Sequence, residues 1–123
     1  GPEDEANIML KRLRYEMQEQ YFVIVLNTKN RVLAVNTVTI GSLSASIVHP
    51  REVFREVMKY PAASFIVAHN HPSGNPMPSR EDLNVTQRLF KAGQILDIPL
   101  LDHIIVGSDG GDCWKSLKEE GLM

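Results

Sequence analysis

Ser64-Phe65-Ile66-Val67-Ala68 leads straight into His69-Asn70-His71-Pro72-Ser73-Gly74-Asn75-Pro76-Met77-Pro78-Ser79. The first five residues, apolar and rich in strand formers, read as a buried β-strand. The rest reads as a loop whose three prolines stiffen the backbone before folding begins. Ser79 is a good N-cap for a helix that continues to about Leu96. Alternate residues of a strand share a face, so Phe65, Val67, His69 and His71 lie on one side, and the two imidazoles emerge together at the strand's carboxyl end. Along the helix, Asp82, Thr86, Leu89, Gly93 and Leu96 follow at spacings of four, three, four and three, which sets Asp82 in line with the core-facing stripe. A carboxylate there is costly without a partner. Only ten residues, 72 to 81, separate His71 from Asp82, so the three side chains can converge.

Two histidines and one carboxylate, with a position left open for water, make the ligand count of a catalytic zinc site. The same count describes the facial triad of iron oxygenases, which metal analysis would separate from zinc. Taken singly, each residue has a plainer reading: an isolated histidine is usually hydrogen-bonded or exposed, and an acidic residue in a first helical turn usually answers the helix dipole. The shared face and the stiff loop favour a metal.

Working outward, Ala6, Met9, Leu13 and Met17 recur at helical spacing within Glu3 to about Gln20, with Lys11, Arg12 and Arg14 on the other faces. Tyr21 to Leu26 is apolar on both faces and belongs in mid-sheet. Turn residues 27 to 30 and the apolar positions of Arg31 to Ile40 then predict a hairpin. A Ser-rich connection, Gly41 to His49, holds one short strand at most. Pro50 opens a helix whose stripe is Val53, Phe54, Val57 and Met58, ended by Pro61. Beyond the long helix come a strand from Leu100 to Val106, a Gly-Asp turn from Ser108 to Asp112, and a short closing element of open type from Trp114 to Leu122. This order predicts an α/β sandwich: a mixed sheet with helices on both faces.

The 123 residues, 43% hydrophobic and 23% charged, suit one globular domain spanning residues 1–123. Thirteen basic residues against fifteen acidic ones give the wrong sign for gripping phosphate backbones, so nucleic acid is not an expected partner. Cys113, the single cysteine, allows no internal disulfide, fits a reducing cytoplasm and reads as a packing residue. No apolar run approaches the roughly 20 residues that span a membrane. The start at Gly1-Pro2 reads as a cloning scar, so the natural protein is expected to extend upstream. Lys29, Arg31, Arg51 and Arg55 read as a solvated face, His49 and His103 as structural histidines without partners at ligand spacing, and Asp102 as a hydrogen-bonding residue.

His69-Asn70-His71-Pro72-Ser73-Gly74 followed by Pro78-Ser79-Arg80-Glu81-Asp82 resembles the JAMM metalloprotease motif, His-x-His, seven residues, Ser, two residues, Asp. The wording is closest to the bacterial RadC family, whose strings Pro50-Arg51-Glu52 and Leu101-Asp102-His103-Ile104-Ile105-Val106-Gly107 also resemble. The likeness covers about Glu19 to Gly107. It implies the JAB/MPN fold, related to cytidine deaminases, with zinc held by His69, His71 and Asp82. It also implies an upstream glutamate that takes a proton from the attacking water and passes it to the leaving amine. Glu19 aligns best, sharing parity with Tyr21, Val23 and Val25, and Glu16 is the runner-up. For Ser79 the family role is to stabilise the oxyanion of a tetrahedral intermediate, whereas local chemistry makes it an N-cap; both stay open. Full-length relatives usually carry a helix-hairpin-helix segment upstream, which this sequence is expected to lack.

The expected activity is therefore zinc-dependent hydrolysis of a peptide or isopeptide amide, by a soluble, cytoplasmic protein. The alternative, in keeping with the family's DNA-repair label, is a DNA-associated module whose metal is not catalytic. A salt-sensitive affinity for DNA would favour it. A base deaminase is disfavoured, because the thiolate pair Pro-Cys-x-x-Cys and the His-x-Glu of those enzymes are missing. Substrate identity and oligomeric state are not legible.

Overall fold

The computed structural model describes residues 1–13, 19–38, 48–107 and 113–123. Several expectations lie outside them: the first helix beyond Leu13 with Arg14, Glu16 and Met17, the hairpin's end at Ile40, most of the Ser-rich connection, and the turn at 108–112. The side chains of Lys11, Arg12 and Leu13 lie outside them as well.

Helix α1, Pro2–Leu13, opens with Glu3, Asp4 and Glu5 against the positive end of its dipole. Strand β1, Tyr21–Leu26, is buried along its whole length and pairs on both sides. Its hairpin partner β2, Val32–Thr37, follows a turn in which Asn30 takes a left-handed φ of 59°. Being the sheet's edge, β2 leaves Val32 and Leu33 exposed. Helix α2, Pro50–Val57, has proline in its first turn, and Glu52 Oε1 accepts from the His49 amide at 2.9 Å. Strand β3, Ser64–His71, runs three residues past Ala68, so His69 and His71 sit on the strand itself and not in the loop that the prolines suggest. Helix α3, Arg80–Leu96, is capped by Ser79 as expected. Strand β4, Leu100–Gly107, lies parallel to β3, with α3 as the crossover. The closing element is a short strand β5, Trp114–Ser116, and a turn.

The sheet order is β2-β1-β3-β4-β5, antiparallel except for the β3/β4 pair. One face packs Tyr21, Val23, Val25, Phe65 and Val67 against Val53, Phe54 and Val57 of α2 and Val85 and Leu89 of α3. Phe54 meets Phe65 edge to face, centroids 5.0 Å apart, a geometry worth about 0.5–1.5 kcal/mol beyond its area. The other face packs Phe22, Ile24, Leu26, Ile66, Ala68, Ile104 and Val106 against Ala6, Met9 and Leu10 of α1. Met58 and Leu96, expected in apolar stripes, are instead exposed at the ends of their helices. Among the described residues no helix is long and apolar enough to cross a membrane.

A bulge decides what β4 presents to the site. Phe65 pairs with Leu100 but Ile66 with Asp102, leaving Leu101 as the extra residue. Asp102 thereby shares the α1 face, where it accepts from Ser116 Oγ at 2.5 Å and from the amides of His103 and Lys118. His103 pairs with Val67 and shares the face of His69 and His71.

Candidate metal centre

At the carboxyl end of β3 the two imidazoles turn their Nε2 atoms toward each other, 3.0 Å apart. Asp82, in the first turn of α3, closes the triangle: Oδ1 lies 3.1 Å from His69 Nε2 and Oδ2 3.1 Å from His71 Nε2. Tetrahedral ligands about 2.0–2.1 Å from zinc stand about 3.3 Å from one another, so this donor set fits one small divalent cation. Glu19 approaches from the segment before β1, with Oε1 3.9 Å from His69 Nε2. One donor atom from each of Glu19, His69 and His71 lies within 4.8 Å of the others. Either carboxylate could supply the third ligand on distance alone. Asp82 is buried and lies 3.1 Å from both imidazoles, whereas Glu19 is a third exposed and comes closest to His69.

Burial alone would raise the Asp82 carboxyl, but hydrogen bonds from His69 and His71, and the Ser79 amide, outweigh it and hold it well below the ordinary range. The hydrogen bond to Asp82 pushes His71 upward against the opposing effect of burial. Tyr21 stacks on the His69 ring, centroids 5.3 Å apart and planes 11° apart. Its phenol is pushed upward, first by burial and then by the charges of Asp82 and Glu19, and has no hydrogen-bond partner among the described residues.

Each site residue is held from behind. His71 Nδ1 donates to the Asn75 carbonyl at 2.9 Å, leaving Nε2 free to face Asp82. The loop carrying that carbonyl turns at Gly74, φ 95°, and lies so close to Gly107 that a β-carbon there would collide with the Gly74 carbonyl and the Cys113 sulfur. The Cys113 thiol donates to the same carbonyl. Ser79 Oγ accepts from the Asp82 amide at 3.1 Å while the Ser79 amide donates to Asp82 Oδ2 at 2.8 Å, a reciprocal cap that orients the carboxylate. Asn70, between the two histidines, is fully buried, and its Oδ1 accepts from the Gln20 amide at 2.6 Å, tying the residue after Glu19 to β3.

The structure thus brings together Glu19, His69, His71, Ser79 and Asp82, while Glu16 lies outside the described residues. Lys29, Arg31, Arg51 and Arg55 are exposed. His103, read from the sequence as structural, has partners that the sequence does not show. It is fully buried, with Nε2 2.8 Å from His69 Nδ1 and Nδ1 2.6 Å from Thr86 Oγ1, and burial pushes it well below the usual histidine value. A histidine inside an otherwise apolar strand was the available signal, but its partner lies 34 residues away on the neighbouring strand.

A mixed sheet flanked by helices, with a strand-borne His-x-His facing an aspartate at a helix start, defines a JAB domain. The chain belongs to the RadC-like JAB domain family, whose model matches residues 1–122. It is 57% identical over 122 residues to a UPF0758 protein of Bacillus licheniformis, covering 99% of this chain and 53% of that protein. It is 53% identical over 123 residues to the UPF0758 protein YsxA of Bacillus subtilis, covering 100% of this chain and 52% of that one. A UPF0758 protein of Caldanaerobacter subterraneus is 52% identical over 121 residues, covering 98% of this chain and 51% of its own. The chain spans about half the length of these curated relatives.

Proposed function

We propose that this domain is a zinc-dependent hydrolase of the JAMM type, acting on a peptide or isopeptide amide. The observation that carries the reading is the placement of one buried carboxylate, Asp82, 3.1 Å from the Nε2 atoms of both histidines, with a second, partly exposed carboxylate, Glu19, 3.9 Å from His69 Nε2. His69, His71 and Asp82 would hold the cation. Zinc bound there supplies Lewis acidity, polarising an amide carbonyl and bringing the pKa of a water to about 7.

Glu19 is placed to act as the general base. Its carboxylate is a third exposed, so water and substrate can reach it, and it sits 3.9 Å from His69 Nε2. In this reading it takes the proton of the attacking water and passes it to the departing amine. Ser79 Oγ accepts from the Asp82 amide with one lone pair and keeps its own proton for an oxyanion, so capping and oxyanion stabilisation are compatible.

The test is hydrolysis of peptide and isopeptide libraries by the zinc-loaded protein, run beside Glu19→Gln, with zinc content measured on both. Glu19→Gln keeps shape and polarity, so it should retain zinc and lose on the order of a hundredfold or more in rate. Undiminished cleavage by Glu19→Gln would remove the base from the scheme. Loss of zinc from it would make Glu19 a ligand instead. A zinc-loaded wild type that cleaves no amide would leave metal binding standing and overturn the hydrolase reading.

A further inference from the structure

We propose that His103 is a positioning residue for the metal centre: it accepts a hydrogen bond from His69 Nδ1 and so makes Nε2 the nitrogen that His69 offers to a cation, directed at Asp82 and His71. The inference rests on the reading that His69, His71 and Asp82 hold a cation. It follows from a chain of hydrogen bonds whose direction is set at its far end. The Asp82 main-chain carbonyl can only accept, so the Thr86 hydroxyl spends its single proton on it, at 2.7 Å. Thr86 Oγ1 must then accept from its other close neighbour, His103 Nδ1, at 2.6 Å. His103 is fully buried, which disfavours its doubly protonated form, so its Nε2 carries a lone pair. That lone pair faces His69 Nδ1 at 2.8 Å, which must donate. With Nδ1 engaged by His103, Nε2 is the nitrogen of His69 that can offer a lone pair to a cation, at the point where it meets His71 and both carboxylates.

This chain also ties the ring orientation of His69 to the first turns of α3, the helix that delivers Asp82. With Tyr21 stacked on the ring's face and His103 against its edge, His69 has little freedom to rotate. His71 obtains its tautomer from a different and simpler partner, the Asn75 carbonyl. Neither His103 nor Thr86 touches the point where the cation would sit, so both act through His69 and Asp82.

The experiment measures zinc affinity by competition with a chromophoric chelator for wild type, His103→Leu, His103→Gln and Thr86→Val, each checked for folding by circular dichroism. Loss of an orienting partner of this kind typically weakens metal binding about 10–100-fold, and that is the expected result for His103→Leu. The amide oxygen of His103→Gln reaches the position of the lost Nε2 and can take the His69 proton, so this variant should recover most of the affinity. Thr86→Val, close to isosteric, frees His103 to adopt the wrong tautomer and should weaken binding several-fold. Long-range proton–nitrogen spectra of the zinc-loaded, histidine-labelled protein should show His69 and His103 both protonated at Nδ1.

Failure of the metal reading and failure of this inference look different. If wild type binds no zinc, the metal centre itself falls and the inference with it. If wild type binds zinc but His103→Leu binds as tightly, if His103→Gln is no better than His103→Leu, or if the spectra put the His69 proton on Nε2, only the positioning role is overturned. Should His103→Leu fail to fold, Thr86→Val and the spectra decide, and unchanged affinity in Thr86→Val overturns the proposal.

Discussion

Replacing Ser79 by alanine separates the two roles that its hydroxyl can hold. The substitution deletes the acceptor for the Asp82 amide at 3.1 Å, while the return bond from the Ser79 amide to Asp82 Oδ2, being donated by main chain, survives. Half of the reciprocal cap is therefore lost, a change that costs about 1 kcal/mol, with a range of roughly 0.5–2. For a chain of 123 residues, unfolding entropy near the midpoint is about 0.26 kcal/mol/K, so the melting temperature should fall by about 4 °C. Ser79→Asn keeps an N-cap acceptor and should melt within about 2 °C of wild type. Scanning calorimetry of all three proteins in chelator removes any contribution from bound metal. A Ser79→Ala protein that melts with wild type would refute the capping argument. The same variants then address catalysis: if Ser79→Asn restores stability but not hydrolysis, the hydroxyl serves the oxyanion as well as the helix, and if both return together, capping accounts for it.

Elemental analysis should find about one zinc per wild-type chain and loss of it in His69→Ala and Asp82→Ala, because two remaining ligands rarely hold zinc, while Glu19→Gln keeps it; retention in Asp82→Ala would hand the third position to Glu19. His71 is raised, so a proton must leave it before metal binds, and zinc affinity should drop about tenfold per pH unit below that raised value, with Asp82 ionised throughout. Chelator competition across about pH 5.5 to 7.5 checks this, and a flat profile contradicts it. In the metal-free domain the raised His71 stabilises fully below its unfolded value of about 6.5 and less as pH rises through the folded one; the depressed Asp82 stabilises above about 3.9 and less as pH falls. Thermal melts should therefore show the pair's full contribution between about pH 4 and 6.5. Gly107→Ala drives a β-carbon into the Gly74 carbonyl and the Cys113 sulfur, and should cost about 1–3 kcal/mol and weaken zinc binding, since the displaced loop carries the carbonyl that holds His71; unchanged calorimetry and zinc affinity would show that the loop yields freely.

Local rules were sufficient wherever two neighbouring segments had to agree. Strand parity put His69 and His71 on one face, helical spacing put Asp82 on the buried stripe, and a serine before a helical run supplied the cap, because these periodicities are properties of backbone geometry that any packing inherits. The extent of β3 was less legible. Prolines at 72, 76 and 78 suggested that the loop starts at His69, yet β4 pairs with β3 as far as His71, and those hydrogen bonds come from a strand nearly forty residues along the chain. The exposure of Val32 and Leu33 has the same origin, since only the finished sheet makes β2 an edge.

A set of donors with compatible spacing, His69, His71 and Asp82, and a cap at Ser79 can be read along the chain. How they are held, and by what, depends on contacts between distant strands. The bulge at Leu101 shifts the register of β4 and brings His103 onto the face of His69, so a histidine with no partner at short range along the chain meets His69 Nδ1 at 2.8 Å. Asn70, on the opposite parity from the histidines, ties down the segment carrying Glu19 through a bond spanning 50 residues. Residues separated by that much chain meet only when non-local strand pairing offsets the entropy of closing the loops between them, and periodicity along one segment carries no information about which strand will lie beside it.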